Sequence, residues 1–266
     1  MEPIAMRRRS LTTLANNPNL IPGIYNYCDR CCERCPLTSR CLVYATEQDD
    51  DDHVSPESQD IRNADFWRTL NSIMDETRQM IAEWANQAGI DLTQSEDEHQ
   101  TRNRRRQLVD NHPLTKAAKK YANITSDWFR ERDQTIPSEN FDPDAREVIQ
   151  WYQYQIAVKT IRALSGQKDE PEPDPELAEQ PKDSDGSAKV ALIGINRSIL
   201  GWRLMQLSLP EHADSVVPLI LQLERLRNRV EKHFPDARAF VRPGFDDAAP
   251  QPEPGSPIST TDADNS

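Results

Sequence analysis

Apolar residues recur three and four positions apart along most of the chain after residue 60, and nowhere alternate over a strand's length; that spacing predicts helices. Between about Asn63 and Ala88, Phe66, Trp67, Leu70, Ile73, Met74, Met80, Ile81, Trp84, Ala85 and Ala88 fall on one face of a long helix, with Gly89 as its stop. Pro113 opens a second helix that carries Leu114, Ala117, Ala118, Tyr121, Ile124 and Trp128 on one side. A third has Asp142 as N-cap, Pro143 at the first helical position, and Asp144 and Glu147 near its positive end. Its apolar set, Val148 to Leu164 with Trp151, Tyr152 and Tyr154, runs to a stop at Gly166. Residues 187–208 are apolar on most sides, which places that helix at the centre of a bundle. Gly194, Ser198 and Gly201 form a narrow strip on it where another helix can approach closely. Ser215 is the expected cap of a last helix with Val216, Leu219, Ile220, Leu223, Leu226, Val230 and Phe234 in its buried stripe, ended by Pro235. Beyond it, Ala239 to Phe245 reads as an apolar strap that folds back.

The expected architecture is therefore all-α, a bundle of about five helices over residues 63–245. It is interrupted by a polar stretch at 91–111 and an acidic, proline-rich insert at 167–186. An N-terminal segment, 1–46, precedes an acidic linker at 47–62, and 246–266 reads as a disordered acidic tail. Eight glycines against twenty prolines in 266 residues argue against an all-β chain.

The formal charge of −12 is unevenly spread. The segments 47–60, 96–98, 169–185 and 246–264 hold 23 of the 44 acids, and Lys182 is the base among them. Outside them the chain is mildly basic, and without the runs Arg7-Arg8-Arg9 and Arg102/Arg104-Arg105-Arg106 it is close to neutral. No basic stripe of the kind that tracks nucleic-acid phosphates is expected, so no nucleic acid is expected as partner. No apolar run approaches membrane-spanning length, and no apolar region follows the N-terminal arginines as a secretory signal requires. The expected compartment is the cytoplasm, and a protein partner recruited by the acidic segments stays open.

All five cysteines lie within residues 28–41: Cys28, Cys31, Cys32, Cys35 and Cys41. Thiols used as core packing would be scattered, whereas five this close, with charged residues between them, point to soft-metal chemistry. Two ligand sets fit the spacing. Cys28, Cys32, Cys35 and Cys41 read C-x3-C-x2-C-x5-C; replacing Cys32 by Cys31 reads C-x2-C-x3-C-x5-C. Adjacent side chains diverge, so one of the pair is a ligand, and Cys32 is preferred because it forms a C-x2-C knuckle with Cys35. Arg30, Arg34 and Arg40 offset the charge of four thiolates, and Tyr25, Tyr27 and Tyr44 stand ready to shield the site from water. In an oxidising compartment the same cysteines would instead form a disulfide.

The run from Cys32 to Cys41 resembles the C-x2-C-x5-C half of the iron–sulfur loop in endonuclease III-type DNA glycosylases, although Tyr25 stands where that family has its first cysteine. Cys28, Cys32 and Cys35 have the C-x3-C-x2-C spacing of radical-SAM enzymes. Cys35-Pro36 is similar to the Cys-Pro that closes ferredoxin-type cysteine runs. These local resemblances imply the capacity to bind a cluster and carry no activity with them.

The leading expectation is a metal-binding helical protein whose centre, an iron–sulfur cluster of the 4Fe–4S type or zinc, is structural, redox-sensing or electron-transferring. Two alternatives stand beside it. One is a redox enzyme with a pocket of Trp151, Tyr152, Tyr154 and Arg197; the other is an interaction protein with a structural zinc. No nucleophile–base pair or phosphate loop is present to name a reaction. A buried Arg197 requires a carboxylate, and Glu147 is the candidate. Glu96-x-x-His99 has di-iron ligand spacing but stands in a polar stretch without a second copy. His212 and His233 are expected at the surface.

Overall fold

The computed structural model describes Leu14 and residues 17–51, 64–89, 96–169 and 182–246, and regular structure among them is entirely helical. Seven α-helices are present among the described residues: α1 (Leu42–Asp51), α2 (Ala64–Ala88), α3 (Glu96–Asn111), α4 (Pro113–Arg132), α5 (Pro143–Asp169), α6 (Asp183–Ser208) and α7 (Ala213–His233). Two of them, α1 and α3, exceed the expected five. Both were hidden from periodicity because their sequences, LVYATEQDDD and EDEHQTRNRRRQLVDN, carry no apolar stripe. Glutamate, glutamine and arginine are nevertheless good helix formers, and α3 is built largely from them. Residues 52–62 of the acidic linker, 170–181 of the insert and the tail beyond Asp246 lie outside the described residues.

The local signals that start helices act as expected at two points. Pro113 begins α4, where the ring of His112 accepts from the Leu114 N–H. Asp142 Oδ1 accepts from the Ala145 N–H at 2.8 Å to cap α5. Two expected ends move. α5 passes through Gly166 to Asp169, and α7 begins at Ala213, so Ser215 lies inside it, accepting from Trp128 Nε1 and donating to the His212 carbonyl.

α5 and α6 form an antiparallel hairpin, the most extensively packed pair, with α4 and α7 completing the bundle. The glycine strip of α6 is the reason they lie so close. A Cβ on Gly194 would stand 2.9 Å from Tyr152 Cδ1, and one on Gly201 would stand 3.0 Å from Ile149 Cγ1. The hairpin ends meet too: Arg162 pairs with Asp183 at 3.3 Å, closing the acidic insert at its base. In the core, Trp202 packs edge-on against Trp128 and stacks on Phe129, and its Nε1 donates to the buried Tyr121 hydroxyl at 2.9 Å. The expected central role of residues 187–208 holds on three sides, while Leu200, Leu204 and Leu207 remain exposed.

The strap does fold back. Lys189 donates to the Phe240 carbonyl and pairs with Asp246 at 2.8 Å, and Phe240 packs on Tyr27. Gly244, at φ 76°, presses against the cysteine segment so closely that a Cβ there would lie 2.6 Å from Ile21 Cδ1. Residues 17–46 and 235–246 therefore pack together along one side of the α5–α6 hairpin, from Glu147 to Lys159 and from Asp183 to Arg197.

Candidate functional site

The cysteine stretch folds as two short 3-10 turns, Cys32–Arg34 and Thr38–Arg40, joined by Cys35-Pro36-Leu37. Arg30 takes a left-handed φ of 60°, uncommon for a side-chain-bearing residue, and the Cys31 N–H donates back to Asp29 Oδ1 at 3.3 Å. This reversal, followed by the turns, gathers Cys28, Cys31, Cys32, Cys35 and Cys41 around one cavity of about 320 Å³, open space included. Ile24, Tyr25, Tyr44 and Phe245 form its apolar and aromatic wall, and Asp29, Arg30 and Thr38 also line it. All five thiols are unbridged and partly buried.

Cys31 and Cys32 meet different surroundings. The Cys32 thiol is pushed up by burial and then by Glu47, Cys28, Cys41 and Cys35. Cys31 is raised by burial and by Asp29, while Arg34 opposes the rise. Burial also raises Cys28, whose thiol donates to the Tyr25 carbonyl at 3.4 Å. The thiols share a space without converging on a point: among the described residues, no three His, Cys, Asp or Glu side chains are close enough to hold an ion as they stand.

Asp29 docks the loop on the bundle. Its Oδ2 accepts from the Tyr152 hydroxyl at 2.5 Å and from Arg197 Nη1 at 2.6 Å, and its backbone carbonyl accepts from Trp151 Nε1 at 2.9 Å. Burial pushes this carboxyl up, but the hydrogen bonds from Tyr152 and Cys31 and the Arg197 charge outweigh it and hold it below the usual range. Lys159, its pKa lowered by burial, donates to the Asn26 carbonyl at 3.0 Å. Tyr27 turns away from the thiols and donates to Asp183 at 2.8 Å; burial first, then this bond, pushes its pKa up to about 12.

Several expected pairings are corrected by this geometry. Arg197 does find a carboxylate, but it is Asp29; Glu147 instead binds Arg34 at 2.6 Å. Arg30 lies 3.6 Å from Glu47, and Arg40 Nε donates to the Asn19 carbonyl, so the interleaved arginines are engaged by neighbours. Trp151, Tyr152 and Arg197 do line one cleft, of about 1010 Å³ with its open mouth included. Arg34, Glu147, Arg242 and Phe245 join them, and Cys31 and Cys35 stand in its wall as well as in the thiol cavity. Tyr154 is not part of it; its hydroxyl meets Ser126 at 2.8 Å on another face. Glu96 and His99 belong to the first turn of α3, and their side chains lie outside the described residues. His233 Nε2 meets Gln167 Oε1 at 3.0 Å, and His212 lies 3.9 Å from Glu211.

Sequence reasoning missed Asp29, Lys159, Arg242 and Phe245 as parts of the site. Only Asp29 carried a signal, as the lone acid between Cys28 and Cys31. No family model matches the chain, and neither a curated protein nor a solved structure does. Among the described residues no helix is long and apolar enough to cross a membrane.

Proposed function

We propose that the loop over residues 28–41 binds a soft metal through Cys28, Cys32, Cys35 and Cys41, as an iron–sulfur cluster or as zinc, with the helical bundle as its scaffold. The observation that supports this reading most is the gathering of these unbridged thiols around one cavity. Cys28, Cys41 and Cys35 beside Cys32 favour it over Cys31 as the fourth ligand. A bound cluster would supply one-electron chemistry there, and bound zinc would supply a cross-link that contributes folding energy. The chain's own residues would do the rest. Asp29 fixes the turn on Tyr152 and Arg197, and Tyr25, Tyr44 and Phe245 limit the entry of water. The cytoplasm is the matching compartment, since it keeps thiols reduced.

Anaerobic purification tests the reading. A brown protein with broad absorbance near ~400 nm and acid-labile sulfide identifies the cluster. A colourless protein with stoichiometric zinc identifies the structural form. Neither metal at stoichiometric level in freshly isolated, unoxidised protein overturns the reading. Cys32→Ser is expected to lose the metal and Cys31→Ser to keep it.

The cleft favours a second reading, a redox enzyme that works beside the centre, because Trp151, Tyr152 and Arg197 share a wall with Cys35. It predicts bleaching or re-oxidation of the centre on addition of a substrate-containing cell extract. If no extract changes the spectrum, the scaffold reading alone remains.

A further inference from the structure

The cleft beside the thiol cavity combines an apolar wall with guanidiniums. Water can enter about 400 Å³ of it, within the roughly 300–1,000 Å³ usual for small-molecule sites. Pro36, Val148, Trp151 and Phe245 make its apolar part. The Trp151 ring is exposed, and the bond from its Nε1 to the Asp29 carbonyl holds it in place. Arg34, Arg197 and Arg242 reach the cleft from three separate segments, against two carboxylates, Asp29 and Glu147. Both Asp29 oxygens already accept from the protein. Arg242 is likewise taken, by Asp246 through Nε and Nη2. Arg197 is half-exposed, and its bonds to Asp29 and Tyr152 both leave from Nη1, whereas a guanidinium has further donors on its other nitrogens. Its position over the Tyr152 ring, 5.5 Å from the centroid, restrains it. Arg34 is half-exposed too, and so is its partner Glu147; such a pair contributes little in water, and an incoming anion can displace it.

We propose that this cleft binds a small organic anion built on a flat ring, its acid group met by Arg34 and Arg197 and its ring by Trp151. A planar acid group matches the forked donors of a guanidinium, and an indole packs well against a flat ring. Cys31 and Cys35 stand in the same wall, so the ligand lies beside the thiol centre. This is the place where the redox-enzyme reading needs its substrate, and the use made of the ligand rests on that reading.

Equilibrium dialysis of the full chain, purified anaerobically, tests the site with naphthoate, its neutral counterpart naphthamide, and acetate. One naphthoate is expected to bind per chain, about tenfold tighter than naphthamide, the effect of a charge-assisted hydrogen bond. Acetate at the same concentration is expected not to displace it, since acetate brings no ring. Arg34→Gln and Trp151→Ala are each expected to weaken naphthoate binding about tenfold. Arg34 is the better arginine to replace, because Arg197 also docks the loop through Asp29 while the partner of Arg34 is half-exposed. Tyr154→Phe, on another face, is expected to bind naphthoate as the wild type does. Absence of saturable naphthoate binding overturns the proposal. Equal affinity for naphthamide overturns it as well, since the cleft would then be an apolar groove without an anion site. So does binding that survives both Arg34→Gln and Trp151→Ala, which would lie elsewhere. The redox-enzyme reading fails separately: selective naphthoate binding beside a centre whose spectrum no extract changes keeps the site and removes the enzyme. A spectrum that does change, in a chain that ignores naphthoate, removes the site and keeps the enzyme.

Discussion

Asp29 gathers groups from three parts of the chain, and its worth follows from that. One carboxylate oxygen receives Tyr152 and Arg197 and the other receives the Cys31 N–H. The side chain is 21% exposed, whereas Glu147, partner of Arg34, is 52% exposed. Removing a partly buried acceptor leaves its donors unmet, which costs about 1–3 kcal/mol, while an exposed pair contributes less than about 1 kcal/mol. Asp29→Asn is therefore expected to lower stability to urea distinctly more than Glu147→Gln. Equal effects in parallel unfolding curves would remove Asp29 from its docking role. A carboxylate for Arg197 was expected because a guanidinium buried on an apolar helix must be paired; the side chain is instead 53% exposed, yet it still pairs. The partner was not legible, because Asp29 lies 168 positions away and reaches Arg197 only after the loop has folded. The thiol-rich stretch itself was legible because thiol chemistry is local, but the neighbours that distinguish Cys31, Asp29 and Arg34, from those of Cys32, Glu47 with Cys28, Cys41 and Cys35, follow from how the loop folds, which spacing alone does not give.

At the level of elements, helices were legible in proportion to their apolar stripes. α4 to α7 bury theirs and α2 displays its own, while α1 and α3 have none and escaped notice. The glycine strip of α6 was legible for the same reason, since small residues at helical spacing mean close approach. Gly194→Ala sets the helix-forming gain of alanine, about 1 kcal/mol, against a Cβ placed 2.9 Å from the Tyr152 ring. Overpacking typically costs about 1–3 kcal/mol, so a net loss of stability is expected, seen as a lower urea midpoint. The strap offers a pH-dependent test. Burial raises the Asp246 carboxyl, but hydrogen bonds from Arg242 and Lys189 outweigh it and hold it well below the usual carboxylate range. A depressed carboxyl stabilises the fold above its unfolded pKa of about 3.9, and that contribution disappears as pH falls from there through the folded value. The stability difference between wild type and Asp246→Asn is thus expected to be full at pH 6 and to shrink below about pH 4. A difference that stays constant from pH 6 to pH 3 would show that the latch with Lys189 and Arg242 does not hold the strap.

Across the whole molecule the apolar interior has two parts. The principal core is drawn from residues between Val109 and Ala237, with Trp202, Tyr121 and Leu223 fully enclosed. Ile24 and Phe240 are also buried, yet they stand outside that core, in the layer where the cysteine loop and the strap press on each other and on Gly186. The bundle therefore has its own burial to hold it, while the loop depends on Asp29, on Lys159 reaching the Asn26 carbonyl and on the strap. A metal gripped by Cys28, Cys32, Cys35 and Cys41 would then stabilise mainly the second layer, since binding free energy is delivered to the part that the ligand orders. Stripping the metal with a chelator under reducing, anaerobic conditions is expected to speed amide exchange in residues 17–46 and 239–246 and to leave α4, α6 and α7 protected. Exchange that rises equally across α4, α6 and α7 would mean that the centre is a keystone of the entire fold, and the division into a self-sufficient bundle and a metal-dependent cap would have to be given up. No change anywhere would mean that hydrogen bonds and packing alone keep the loop in place, leaving the thiols free for a role other than staple.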